Sequence, residues 1–238
     1  AAVRAPEGAA VVEIGPGTGA LTGILLESYP DLVALEVDER AVEHLKAQWP
    51  ALDVRHRDVL EVDWAALAAE KEASLYVIGN LPYYITSPIL FGLLDAAPHV
   101  RETVLMMQLE VAQRLVAEPR TKDYGILSVQ VQVHARPELL FRVSRNVFFP
   151  KPDVTSAVIR LTFDAEHRLD ADVDPEFFRK VVRTAFNQRR KTLHNSLGAW
   201  TRGRGIELPE AWAGRRAEEL DPPTFVALAR YLEDRLRP

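Results

Sequence analysis

The sequence predicts an α/β protein: a Rossmann-like, mainly parallel sheet wound by helices, followed by a small all-α domain. Three observations predict it. Strand-like and helix-like patterns alternate from residue 10 to about residue 108, as in a doubly wound sheet. The first strand, Val11-Val12-Glu13-Ile14, runs directly into Gly15-Pro16-Gly17-Thr18-Gly19 and then a helix-like stretch. After Asp164 the strand patterns give way to helical ones. The expected domains are therefore residues 1–167 and 168–238.

The elements follow in order. Apolar runs place strands at 11–14, 32–37, 53–55, 75–78 and 103–107. Helical spacing places helices at 18–28, 39–48, 87–95 and 109–117. Residues 126–133 alternate like a strand. Residues 139–143 and 156–163 read as two late strands able to form an antiparallel edge hairpin. Asp174-Pro175-Glu176 is a helix start, a capping acid followed by proline, and Asp221-Pro222 repeats the device. Between them, helical patterns cover 177–187, 192–200 and 209–219.

Composition narrows the function classes. The 238 residues are 47% hydrophobic and 26% charged, enough apolar content for a sizeable core. The absence of cysteine excludes disulfides and thiolate metal sites and suits a reducing, cytoplasmic setting. No apolar run approaches the ~18 residues of a membrane span, so no membrane partner is expected. The six histidines show no ligand spacing, so no metal site is expected.

The net charge of −5 is unevenly spread. From Arg179 to Arg204 there are eight Lys or Arg residues and no acid. Arg183, Arg189, Arg190 and Lys191 lie there. Residues 136–160 add five basic residues, Lys151 among them, against two acids. Such a one-sided basic surface suits phosphate contacts on an otherwise acidic protein. The alternative is a solvated helix face.

The chemistry concentrates at strand ends. Asn80-Leu81-Pro82-Tyr83-Tyr84 follows the strand at 75–78 and precedes a helix. The Asn80 side-chain oxygen and the Leu81 carbonyl can each accept a hydrogen bond from an exocyclic amine. Pro82 fixes the turn and biases Leu81 toward an extended backbone. Tyr83 can stack on a flat base. Phe148, with Phe149 as second choice, is the candidate for the opposite face. The plain alternative is a proline turn with packing aromatics.

The glycine turn is ambiguous. Gly15, Gly17 and Ala20 satisfy a loose dinucleotide fingerprint, with Glu36 at a suitable distance for a ribose. Against that, Glu13 precedes the first glycine, where it would repel a pyrophosphate and suit a cationic ligand. Glu36 is the preferred ribose partner, with Val37 beside it, and Asp38 is expected to cap the next helix. Asp58, followed by Val59, could accept an adenine amine at the end of the next strand.

With these motifs in place the chain resembles the ribosomal RNA adenine N6-dimethyltransferase family. The matching segments are Glu13 to Thr22, Leu35 to Asp38, Asp58 to Leu60, Gly79 to Tyr84, Val147 to Val158 and Ala185 to Leu193. Glu13-x-Gly15-x-Gly17-x-Gly19 resembles the S-adenosylmethionine loop of class I methyltransferases. The segment Phe186-Asn187-Gln188-Arg189-Arg190-Lys191-Thr192-Leu193 is similar to the small-subunit branch. The resemblance implies a class I S-adenosylmethionine-dependent sheet, and helical rather than strand structure at 126–133. Its cofactor is S-adenosyl-L-methionine, held by Glu13, Gly15, Pro16, Gly17, Thr18, Gly19, Glu36, Val37, Asp58, Val59 and Asn80. It implies dimethylation of two adjacent adenosines near the 3′ end of 16S rRNA in the small ribosomal subunit. A coupled role in subunit biogenesis and a monomeric state accompany it. The family also carries a segment before the glycine loop with a cofactor-binding Gln. Because the chain begins at Ala1, that segment is expected to be missing.

Overall fold

The computed structural model describes residues 3–148, 151–167 and 169–236. It divides into two packed units, Ala1–Ala112 with Ala135–Asp164, and Gln113–His134 with Ala165–Pro238. The first holds β1 (Ala10–Ile14), α1 (Thr22–Leu26), β2 (Val33–Glu36), α2 (Glu39–Gln48), β3 (Asp53–His56), α3 (Trp64–Glu70), β4 (Leu75–Asn80), α4 (Thr86–Asp95) and β5 (Val100–Gln108). Then come α5 (Leu109–Leu115), α6 (Ile126–His134), β6 (Arg136–Val143) and β7 (Ser156–Thr162).

Among the described residues the seven strands form one sheet, ordered β3-β2-β1-β4-β5-β7-β6. β1 to β5 pair in parallel, whereas β7 runs antiparallel between β5 and β6. The inner strands read as nearly continuous apolar runs because they are covered on both faces. Val11, Val12 and Leu75 are fully buried, and Val77 nearly so. β6 is an edge strand, which is why Pro137 is tolerated inside it.

This topology positions the chemistry. The strand order reverses between β1 and β4, and open α/β sheets bind ligands at the carboxyl ends beside such a switch. Because β7 is antiparallel, it starts where the parallel strands end. The described residues that follow β6 and precede β7, 144–148 and 151–155, therefore lie at that same edge.

The helix expected at 18–28 is shorter, because α1 begins only at Thr22. Gly17 and Gly19 have φ of +57° and +85°, which keep the preceding residues out of the helix. Gly19 has a second reason to lack a side chain. A Cβ there would lie 2.3 Å from the Trp49 indole, so the glycine lets α1 pack against the end of α2.

Asp38 caps α2 as expected, accepting from the N–H groups of Arg40 and Ala41. Residues 126–133 are helical, as the resemblance implied. Their alternation misleads because α6 is buried at Ser128, Val129, Gln130, Val131 and Val133, leaving no polar face to set a period.

The second unit contains α7 (Pro175–Asn187), α8 (Leu193–Ser196), α9 (Gly198–Thr201), α10 (Glu210–Ala213) and α11 (Pro222–Leu236). Asp174 caps α7 through the Glu176 N–H, with Pro175 at its start. Each of the helices expected at 192–200 and 209–219 is broken into shorter pieces. Phe178, Phe225 and Tyr124 are fully buried in its core.

Tyr124 explains why Gln113–His134 packs with this unit although a boundary was expected only near 167. Its hydroxyl donates to the Leu220 carbonyl at 2.8 Å, and its ring meets Phe186 edge-on. Gln132 Nε2 adds bonds to the Leu115 and Ala117 carbonyls, both at 2.9 Å.

Candidate active site

The glycine turn leaves β1 with Gly15, Gly17 and Gly19 all at positive φ. Gly15 donates its N–H to the Leu35 carbonyl of β2 at 2.9 Å. A Cβ on Gly15 would sit 3.9 Å from the Asn80 carbonyl, so the turn passes close to the end of β4. Within the turn Pro16 is buried and Thr18 is exposed.

Two buried carboxylates flank this turn. Glu36 accepts from the Gly17 N–H at 3.0 Å through one oxygen, and from the Val37 and Asp38 N–H groups at 2.8 and 2.9 Å through the other. A carboxylate has about four acceptor positions, so one remains for a ligand hydroxyl. Glu13 is 2% exposed and accepts from the Thr22 hydroxyl at 2.7 Å. Burial pushes its carboxyl up to about 7, against the Thr22 hydrogen bond, and the nearby Glu36 charge adds to the rise. Two acids beside one turn would repel a pyrophosphate. They suit a ligand that is cationic at one end and carries a ribose diol.

Asp58 spends one oxygen capping the turn at Val59–Glu61, through the Leu60 N–H at 2.9 Å. Its other oxygen has no donor among the described residues. Val59 lines a cleft of about 370 Å³ with Leu60, Trp64, Pro88 and Ile89. Val37 is 64% exposed, an apolar side chain left at the strand end.

The turn after β4 is tied at several points. The Leu81 N–H donates to the Met106 carbonyl at 2.9 Å. The Pro82 carbonyl accepts from the Ile85 N–H at 3.2 Å and the Thr86 hydroxyl at 3.0 Å. The Tyr83 hydroxyl lies 2.7 Å from Ser156 Oγ at the start of β7. Among the described residues, nothing bonds the Asn80 side chain or the Leu81 carbonyl. Asn80 and Leu81 line a pocket of about 330 Å³ with Pro82, Tyr83, Phe148 and Pro152. The pocket thus gathers the four residues of the turn with Phe148, far away in sequence. Phe149 lies outside the described residues. Lys151 is exposed beside the pocket-lining Pro152.

The basic segment divides by partner. Arg183, Arg190 and Lys191 are exposed. Arg189 is committed internally: Nε donates to Glu218 at 2.5 Å, and its terminal nitrogens donate to the Lys122 and Thr121 carbonyls at 3.0 Å. Its geometry is that of a clamp within the second unit.

Sequence reasoning did not single out Ser156 or Thr22 as site residues. Both stand inside recognised motifs, but their roles depend on side chains that meet only once the sheet is built.

The reversed strand order, the antiparallel β7, the glycine turn and the acid that ends β2 define a class I methyltransferase fold. A family model described as "Ribosomal RNA adenine dimethylase" matches residues 1–229. The chain is 53% identical to "Ribosomal RNA small subunit methyltransferase A" of Salinibacter ruber, covering 97% of this chain and 78% of that protein. It is 43% identical to the protein of the same name from Pseudomonas aeruginosa, covering 98% and 87%. Among solved structures, a dimethyladenosine transferase from Plasmodium falciparum superposes with a TM-score of 0.83 at 22% identity, covering 98% and 93%. The 23S rRNA methyltransferase ErmE superposes with a TM-score of 0.68 at 26% identity, covering 97% and 93%. The chain belongs to the ribosomal RNA adenine dimethylase family. No helix among the described residues is long and apolar enough to cross a membrane.

Proposed function

We propose that this chain uses S-adenosylmethionine to dimethylate N6 of two adjacent adenosines near the 3′ end of 16S rRNA in the small ribosomal subunit. One observation carries the reading. Asn80 and Leu81, whose side-chain amide and main-chain carbonyl have no protein partner among the described residues, line a pocket with Tyr83 and Phe148, next to the glycine turn. That set fits an adenine amine. The names of the Salinibacter and Pseudomonas relatives support the small-subunit substrate.

The site residues divide the work. Glu13 would face the cofactor's ammonium group and Glu36 its ribose hydroxyls. The Gly15–Gly19 turn gives the cofactor close backbone approach, and Asp58, Val37 and Val59 offer an acid and apolar side chains to its adenine. The cofactor supplies a methyl group on a positively charged sulfur, already activated for transfer. An adenine amine is a poor nucleophile because its lone pair is delocalised into the ring. Asn80 and Leu81 would hold its two hydrogens, favouring a tetrahedral nitrogen with the lone pair directed at the methyl group. Tyr83 and Phe148 would stack on the two faces of a base drawn out of its stack. Catalysis is then orientation and preorganised dipoles. A general base is unnecessary before attack, since the methylated ammonium is acidic and loses its proton to water.

The second unit would hold the surrounding RNA through Arg183, Arg190 and Lys191, with Lys151 near the pocket. Reversing Arg190 and Lys191 to glutamate should weaken subunit binding and flatten its salt dependence. Arg189→Ala should instead lower the melting temperature modestly, because it removes three hydrogen bonds that tie Thr121, Lys122 and Glu218 together. Equal loss of salt dependence in Arg189→Ala, with no change in melting, would restore Arg189 to the RNA surface. A coupled role in subunit biogenesis would rest on this same RNA-holding unit.

The test is incubation of small subunits lacking dimethyladenosine with this chain and S-adenosylmethionine, followed by mass spectrometry of digested nucleosides. Dimethyladenosine in the small-subunit RNA supports the reading. Product only on large-subunit RNA, or none, overturns it.

A further inference from the structure

We propose that Ser156 is a positioning residue that fixes the plane of the Tyr83 ring and thereby favours the second of the two methyl transfers. The proposal rests on the dimethyltransferase reading above and extends it to a residue outside the pocket. Ser156 is fully buried as the first residue of β7, and its Oγ lies 2.7 Å from the Tyr83 hydroxyl. In the sheet β7 and β4 are separated by β5. The bond therefore reaches from the turn after β4, across the end of β5, to β7. Ser156 pairs with Gln108 of β5 and Val143 of β6, so its own backbone is held on both sides. The half-buried Tyr83 ring is anchored at its far end to a rigid strand.

The same strand carries the other wall of the pocket. Residues 151–155 lead directly into Ser156, and Pro152 among them lines the pocket together with Phe148. Thr155 is itself fixed, its carbonyl accepting from the Leu109 N–H at 2.9 Å. The Tyr83–Ser156 bond thus ties the two stacking walls to one base. It sets the orientation of the ring against which an adenine would lie.

The two transfers depend on that orientation unequally. An unmodified adenine amine offers two hydrogens, one for the Asn80 oxygen and one for the Leu81 carbonyl. In each transfer the nitrogen lone pair forms the new bond to the methyl carbon, the carbon–sulfur bond breaks toward sulfur, and one N–H proton leaves to water. After the first transfer a single hydrogen remains, so only one of the two acceptors can be engaged. The base is then oriented by one hydrogen bond and by stacking. A loosened Tyr83 ring costs little when both acceptors hold the amine and more when only one does.

Ser156→Ala and Tyr83→Phe each remove the hydrogen bond while leaving the backbone and the aromatic ring. Both should raise the ratio of monomethyl- to dimethyladenosine, measured by nucleoside mass spectrometry at matched first-transfer turnover. The rise should be about fivefold, the factor a neutral hydrogen bond commonly carries. The double variant should be no worse than either single one, because both remove the same bond. Ser156→Thr, which keeps the hydroxyl, should restore the wild-type ratio. Ser156→Ala should melt near wild type, because the half-buried Tyr83 side chain keeps access to water, whereas Tyr83→Phe should melt a few degrees lower, because it leaves the buried Ser156 hydroxyl without its partner.

An unchanged product ratio in Tyr83→Phe, with wild-type protein making dimethyladenosine, overturns the positioning role alone. That variant leaves the buried strand untouched, so it decides the question even if Ser156→Ala folds poorly. Additive effects in the double variant also overturn it. Wild-type protein making no methylated adenosine overturns the underlying reading instead.

Discussion

Asn80→Ala is expected to lower methyl transfer by about 10²- to 10³-fold, the range seen when one preorganised hydrogen-bonding group is lost from an active site. Cofactor affinity should stay within about twofold, a limit set by the few tenths of a kcal/mol that a peripheral contact carries. The separation follows from which atoms face which ligand. The close approach between the glycine turn and residue 80 involves the Asn80 main-chain carbonyl, which alanine retains. The side-chain amide, without a protein partner among the described residues, is the part assigned to the target amine. Its loss would leave the Leu81 carbonyl as sole acceptor, and Leu81 is held by its N–H bond to Met106. The amine would then be free to flatten into conjugation with the ring. The measurement is single-turnover transfer at saturating cofactor, paired with calorimetry. Turnover within threefold of wild type would remove Asn80 from the amine clamp. The same variant separates catalysis from assembly: if it still binds immature subunits, RNA holding in the second unit is independent of methyl transfer.

The candidate site was legible in the sequence where its residues are contiguous. Asn80 to Tyr83 fall on one strand end, and the glycine turn follows one strand directly, so local rules place both. Asp38 was readable as a cap because capping is local chemistry. Pairings across the sheet were less legible. Ser156 meets Tyr83 only because an antiparallel strand inserts between β5 and β6, and nothing at residue 83 signals that partner. The same limit applies to Arg189. A run of basic residues shows charge, but whether a guanidinium faces solvent or clamps Thr121, Lys122 and Glu218 depends on the fold. The segment 126–134 shows the limit of periodicity. A helix buried on most sides loses the polar stripe that would identify it, so valines at alternate positions imitate a strand.

Glu13→Gln is expected to stabilise the protein and impair it. The folded-state pKa of Glu13 is raised from 4.5 to about 7. Below pH 4.5 the carboxyl is protonated folded or unfolded, and it carries no penalty. Between those values the unfolded chain ionises first, so stability falls as pH rises. Above pH 7 the full penalty is present, on the order of 3 kcal/mol. Glutamine cannot ionise, yet its side-chain oxygen can still accept the Thr22 hydroxyl. Glu13→Gln should therefore melt several degrees higher than wild type at pH 8 and at nearly the same temperature at pH 4. Binding should show the opposite sign. An ammonium ligand favours the ionised carboxylate, so wild-type affinity for S-adenosylmethionine should fall about tenfold per pH unit below 7. It should fall again above about 8, where an α-amino group loses its proton. Glu13→Gln should bind more weakly at pH 7.5 and lose the acid limb of that profile. Calorimetry at pH 6 in buffers of different ionisation enthalpy should show proton release on binding to wild type and little to the variant. A wild-type affinity independent of pH between 5.5 and 7.5 would mean that Glu13 does not face the cofactor's charge. Its burial beneath the glycine turn would then serve the turn alone, through the hydrogen bond from Thr22.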